Sequence, residues 1–180
     1  MDKDIVYFDL ETRRTAADVG GWNNKDKMGI SVAVTFSTRL NEYRIYTEDE
    51  SSLLIEQLRK ADLVVGFNHV SFDYGVLMAH TILDLRESLH SLDLMVDLEQ
   101  KLGHRLKLDA VATASLGGLS KTADGLDAIR WWQQGKLLEI AEYCCYDVKV
   151  TKCVHEYGVK HGYVKYIDRT RREQKVEVNW

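Results

Sequence analysis

A short, uninterrupted apolar run that ends on two carboxylates constrains this chain more than any other feature. Residues 4–10 read DIVYFDL, and Glu11 follows at once. A run this short, rich in β-branched and aromatic residues, forms a buried strand. Strand side chains alternate between faces, so Asp9 and Glu11 point the same way. Both acids then converge on one spot beside the hydrophobic centre of a sheet. Taken alone, the pair also fits a solvated strand terminus.

Two further pieces give the pair its meaning. The segment Gly66-Phe67-Asn68-His69-Val70-Ser71-Phe72-Asp73 leaves a buried strand at Gly66 and brings Asp73 into the first turn of a helix. An Asp there also stabilises a helix N-terminus by its charge. Asn68 either ties the loop down or meets a substrate, and His69 is weighed the same way. The segment Tyr143-Cys144-Cys145-Tyr146-Asp147 puts Tyr143 and Asp147 four apart on one helical face. Its ordinary alternative is a packed tyrosine beside a surface acid. Four carboxylates gathered together repel one another unless cations neutralise them. An all-oxygen donor set favours Mg²⁺ or Mn²⁺ over Zn²⁺, and two such ions suit phosphoryl transfer.

The rest of the chain supplies a scaffold. Residues 11–27 are polar and glycine-bearing and read as a connection. Residues 28–37 and 42–47 read as strands joined by a turn at 39–41, which makes an antiparallel meander with the first strand. Thr47 and Glu50 predict a capped helix to about Lys60. A short strand follows at 62–66, a helix at 72–82, and an extended piece at 90–96 that leads into a helix near Asp97. Helices are predicted over 108–116, ending at Gly117-Gly118, around Trp131-Trp132, and over 137–161. Strand-like pieces near 163–167 and 175–180 close the chain. Antiparallel strands followed by alternating helices and strands imply a single α/β domain over 1–180, with a mixed central sheet and flanking helices.

Charge and cysteine usage narrow the function. The formal charge of −4 excludes a passive nucleic-acid coat, though not an enzyme with a local basic patch. Lys160, Lys165, Arg169, Arg171, Arg172 and Lys175 are such a patch, or else an ordinary solvated surface. Three cysteines with no CxxC pair read as helix packing in a reduced cytoplasmic protein. No membrane association is expected, because no stretch approaches the ~20 apolar residues of a span. The opening residues have neither the basic region nor the apolar run of a secretory signal. The chain has no proline, so its turns rely on Gly, Asn, Asp and Ser.

In order along the chain, YFDLET (7–12), NHVSFD (68–73) and YCCYD (143–147) resemble the three motifs of the DnaQ-like, or DEDD, exonuclease superfamily in its tyrosine-bearing branch. RLKLDAVATASLG (105–117) is similar to the stretch that commonly precedes the third motif. The Lys121–Gly125 segment and the helix through Trp131 and Trp132 are most similar to the proofreading domain of family B DNA polymerases. The resemblance covers residues 4 to about 157. It implies a ribonuclease-H-like fold and two-metal hydrolysis from a free 3′ end of single-stranded nucleic acid, releasing nucleoside monophosphates. By that resemblance Asp9 bridges both ions and Glu11 completes the shell of the ion holding the attacking water. Asp147 binds that same ion, and Asp73 supports the second. Tyr143 orients the water, a positioning task that suits a hydroxyl of ordinary pKa ≈ 10.

Around this set, Leu10, Thr12, Asn68, His69, Phe72 and Lys121 are candidate substrate contacts. Leu10 is expected to turn its side chain into the core, so its contribution and that of Thr12 lie in the backbone after Glu11. Asp93 and Asp109 are expected chiefly to serve helix starts, and Trp22, Trp131 and Trp132 to pack or to stack bases. DNA is favoured over RNA by the polymerase-like resemblance. A phosphodiesterase acting on short oligonucleotides or RNA, and a non-catalytic nucleic-acid-binding module, are the competing readings. A protein partner or a homodimer is compatible with a chain this small.

Overall fold

In the computed structural model, which describes residues 3–118 and 125–180, strand β1 (Ile5–Thr12) lies in the middle of a sheet. Antiparallel to it runs β2 (Ile30–Ser37), and β3 (Glu42–Tyr46) continues that meander as expected. Two short strands, β4 (Leu63–Gly66) and β5 (Ser91–Asp93), lie parallel to β1 on its other side. The order β3-β2-β1-β4-β5 makes the sheet mixed.

Alternation along β1 divides the molecule into two cores. Val6, Phe8 and Leu10 face α1 (Ser51–Lys60) and α2 (Asp73–Leu77), where they pack with Leu54, Leu58, Tyr74 and Leu77. Tyr7 faces the other way, into a core with Ile140, Cys144 and Val148 of α7 (Leu137–His161). Each fully buried side chain of this size contributes about 2 kcal/mol as an upper figure. Asp9 and Glu11 are therefore presented on the α7 side. Tyr7 fixes this side by a 2.8 Å hydrogen bond between its hydroxyl and His155 Nδ1.

Strand lengths matter for the site. Register pairs Tyr7 with Val65, and β4 stops one residue later at Gly66. β1 continues to Thr12, so its last residues have no strand beside them on that edge.

Several boundaries differ from the sequence reading. The first strand takes in Glu11 and Thr12, and the connection after it contains a 3₁₀ turn at Trp22–Lys27. The helix expected over 72–82 is α2 plus a 3₁₀ turn at Met78–His80, because Thr81 turns extended and Ile82 is fully exposed, with nothing to bury there. A short helix, α3 (Leu85–Ser88), capped by Asp84, was not anticipated. α4 (Leu94–Leu102), α5 (Leu108–Leu116) and α6 (Gly125–Gln133) complete the layer around α7. The last strands, β6 (Tyr163–Ile167) and β7 (Glu173–Glu177), form a separate hairpin, held to α5 where the Lys165 amide donates to Ser115 Oγ at 2.9 Å. Among the described residues no helix is long and apolar enough to cross a membrane.

Candidate active site

Three carboxylates meet where the end of β1 faces the first half of α7. One oxygen from each of Asp9, Glu11 and Asp147 lies within 4.8 Å of the others. The two-residue spacing on the strand brings the first two together. The third arrives because the buried stripe of α7, through Ile140, Cys144 and Val148, docks on that same sheet face. Tyr143 sits one turn before Asp147 and is 6% exposed, with its ring edge-on to Trp131 of α6 at 6.1 Å.

Asp73 stands beside this triad but outside it. Its Oδ1 accepts the Leu10 amide at 3.0 Å, taking the place of the strand that β4 fails to provide. Burial first, and then the charge of Asp9, hold the Asp73 carboxyl well above the usual carboxylate range.

A residue read from sequence only as helix packing also enters the site. Cys144 Sγ lies 3.4 Å from both the carbonyl and Oδ2 of Asp9. Burial, followed by the charge of Asp9, pushes its thiol well up, so the sulfur stays protonated and donates. The oxygen-only set would fit hard cations such as Mg²⁺ or Mn²⁺, and close packing of like charges favours a positive charge among them. Its signal was present in the spacing, since Cys144 and Asp147 are three apart on one face.

Asp93 exceeds the capping role expected of it. Its Oδ1 accepts the amides of Met95 (3.1 Å) and Val96 (3.3 Å) at the start of α4, and also that of Asn68 (2.8 Å). Its Oδ2 accepts the Val70 amide at 3.0 Å. One carboxylate thus caps a helix and clamps the loop that delivers Asp73. Asn68 needs the clamp because its φ of 68° is costly for a residue with a Cβ.

Two candidate substrate contacts require correction. The Leu10 side chain is 3% exposed in the opposite core, and its amide is already taken by Asp73, so neither of these is offered to a ligand. His69 is 1% exposed, with its ring edge-on to Tyr74 and Nδ1 3.6 Å from Asp93 Oδ2, too far for a hydrogen bond. Burial lowers its pKa to about 4 against the pull of Asp93, so it serves as a neutral core ring around which the loop is wrapped. Lys121 lies outside the described residues.

The remaining candidates line two adjoining pockets. An acidic one of about 510 Å³ is walled by Asp9, Asn68, Lys107, Asp109, Gly125 and Asp147. A mostly apolar one of about 610 Å³ is walled by Glu11, Thr12, Trp22, Phe72, Gly125 and Ile129, among others. Gly125 belongs to both, and a Cβ there would come within 3.9 Å of Glu11 Oε2. Trp22, exposed at the surface, sits edge-on to Phe72 at 6.3 Å between centroids. Trp132 lies under the Arg13 guanidinium at 4.4 Å. Asp109 was legible only as a helix start and Lys107 not at all, because nothing local reveals that α5 begins at the rim of a pocket.

The fold and the acids together describe an RNase-H-type centre. A family model of the RNase H superfamily matches residues 6–159, and the chain belongs to that superfamily. Among solved structures, the family B DNA polymerase of the hyperthermophilic archaeon Pyrobaculum calidifontis is similar in fold, with a TM-score of 0.64 at 14% identity. The likeness covers 88% of this chain and 25% of the polymerase, so the chain spans about a quarter of that protein's length. No curated protein matches.

Proposed function

We propose that this chain is a nuclease that removes nucleotides from the 3′ end of single-stranded nucleic acid, DNA in preference to RNA, with two divalent cations held by Asp9, Glu11, Asp147 and Asp73. The observation that carries this reading is the convergence of Asp9, Glu11 and Asp147 within 4.8 Å, with Asp73 buried beside them. Cations bound there would neutralise phosphate charge and lower the pKa of an attacking water. The chain's own residues supply the rest. Asp9 and Asp147 present oxygens from a strand and a helix that are locked by packing, so the site needs little rearrangement to act. Cys144 restrains the Asp9 carboxylate through its thiol. The Tyr143 hydroxyl orients the water. Phe72, Trp22 and Ile129 shape an apolar recess for the terminal base, beside a polar pocket where Asn68 and Lys107 meet phosphate. An apolar recess directly beside the acids favours a nucleotide over a small phosphoester without a base.

Digestion of 3′- and 5′-labelled single-stranded DNA and RNA in Mg²⁺ and Mn²⁺ tests this. The expected product is a ladder that shortens only from the 3′ end, faster on DNA and absent in EDTA. Folded, metal-loaded protein that cuts neither polymer overturns the reading and leaves phosphodiester chemistry on other substrates, or binding alone, in its place.

The clamp on the Asn68–Asp73 loop gives a further expectation. In Asp93→Ser a hydroxyl can still cap α4, but it cannot reach Asn68 and Val70. Cleavage should fall by about 10- to 100-fold, as when a group supporting a metal ligand is lost, and KM for the strand should rise with it, because the released loop also carries Asn68. Melting and steady-state rates measured together check this. A folded variant that cleaves like the wild type would reduce Asp93 to a cap.

A further inference from the structure

The C-terminal hairpin carries charge that the catalytic reading leaves unused. Residues 163–177 hold five basic and three acidic side chains, a net +2 within a chain of −4, so the remainder carries −6. Segregation this strong makes a local positive field on an acidic protein.

The hairpin's turn is built to display its cations. Asp168 accepts four hydrogen bonds, from Thr170 N, Thr170 Oγ1, Arg172 N and Gln174 Nε2, at 2.7–3.0 Å, which shapes the turn and occupies its own carboxylate. Arg171 adopts φ 63°, a conformation that glycine or asparagine takes at far lower cost. Arg169, Arg171 and Arg172 are all exposed, and among the described residues none has a carboxylate within ion-pair range. At the other end of the hairpin from the turn, where Tyr163 pairs with Glu177, the rings of Tyr157 and His161 lie tilted with centroids 4.3 Å apart, Tyr163 stands 6.0 Å from each, and Lys175 Nζ lies over the Tyr163 ring at 4.3 Å. Guanidiniums at one end of the hairpin and partly exposed rings with a lysine at the other are the chemistry that holds a single strand along its length, by phosphate contact and base stacking.

The hairpin also lies close to the acids. α5 starts at the acidic pocket with Leu108 and Asp109, and its Ser115 bonds the β6 backbone. Six residues of helix separate these points, about 9 Å at 1.5 Å per residue.

We propose that this hairpin and its rings form a second docking surface for single-stranded nucleic acid, holding the strand upstream of the end being cleaved. The assignment of which end lies in the acid site rests on the exonuclease reading, whereas binding by the hairpin can be measured without hydrolysis. Asp9→Ala protein is titrated into fluorescently labelled single-stranded DNA of about 16 nucleotides and into a labelled trinucleotide, across a range of salt. The same titration is repeated with Arg169→Gln, Arg171→Gly and Arg172→Gln added. Glycine suits the φ of residue 171, so the turn survives the change.

The expected result is about a ten-fold loss of affinity for the long strand, no change for the trinucleotide, and a salt dependence shallower by about 2, near 0.7 per lost phosphate contact. Equal affinity of both proteins for the long strand, no binding by either, or a loss shared equally by the trinucleotide overturns the proposal. So does arginine-dependent binding to phosphatidylserine vesicles without binding to DNA, which would make this a membrane-facing surface. Whether the exonuclease reading stands is decided separately, by digestion with the wild-type protein.

Discussion

Asp9→Ala protein will fold, melt no lower than the wild type in the absence of divalent cations, and cleave about a thousand-fold more slowly. The first two outcomes follow from crowding. Asp9 shares a 4.8 Å cluster with Glu11 and Asp147, and its charge also disfavours ionisation of Asp73. Removing one of several like charges lowers their mutual repulsion. Cys144 loses one acceptor but keeps the carbonyl of residue 9. The third outcome follows from the several kcal/mol of charge stabilisation that bound cations supply, where about 4 kcal/mol corresponds to roughly a thousand-fold in rate. Adding Mn²⁺ should raise the melting temperature of the wild type and leave that of the variant nearly unmoved. Calorimetric melting with and without metal, beside the digestion assay, gives all three readings. Wild-type cleavage by the variant would remove the acid cluster from the chemistry.

Gly66→Ala will damage stability and cleavage together. A Cβ at this position would lie 2.7 Å from Cγ and Nδ1 of His69. His69 cannot swing away, because it is enclosed against Tyr74 and the loop around it is pinned by Asp93. Overpacking of this kind costs about 1–3 kcal/mol. The loop that must shift carries Asp73, so cleavage should fall by more than the loss of folded protein explains. Denaturant melts paired with rates corrected for the folded fraction separate the two effects. A variant as stable and as active as the wild type would show that the loop yields freely.

What could be read from the sequence follows from the range of the interactions involved. The carboxylates of β1 and α7 were legible because their spacing, two on a strand and four from a tyrosine on a helix, is a local property of backbone geometry. The 25-residue α7 was legible from its length and the periodicity of Ile140, Cys144, Val148 and Thr151. The burial of His69 was not, since it depends on Gly66 leaving space and on Asp93, 24 residues away, filling the loop's amides. The helix expected to 82 failed for a related reason. Whether Ile82 meets a partner depends on the tertiary fold, and it meets none. The apolar recess beside Glu11 brings together Trp22, Phe72 and Ile129 from three separate segments, a meeting that only the tertiary fold creates.

The early end of β4 has one more consequence. Because the neighbouring strand stops at Gly66, the Leu10 N–H is answered by a titratable side chain instead of a peptide carbonyl. That makes a single main-chain amide an intrinsic gauge of the acid cluster. Its ¹⁵N shift and its rate of exchange with deuterium will respond to the charge on Asp73, and so to the arrival of a cation, in a protein that has neither met nor cut a strand.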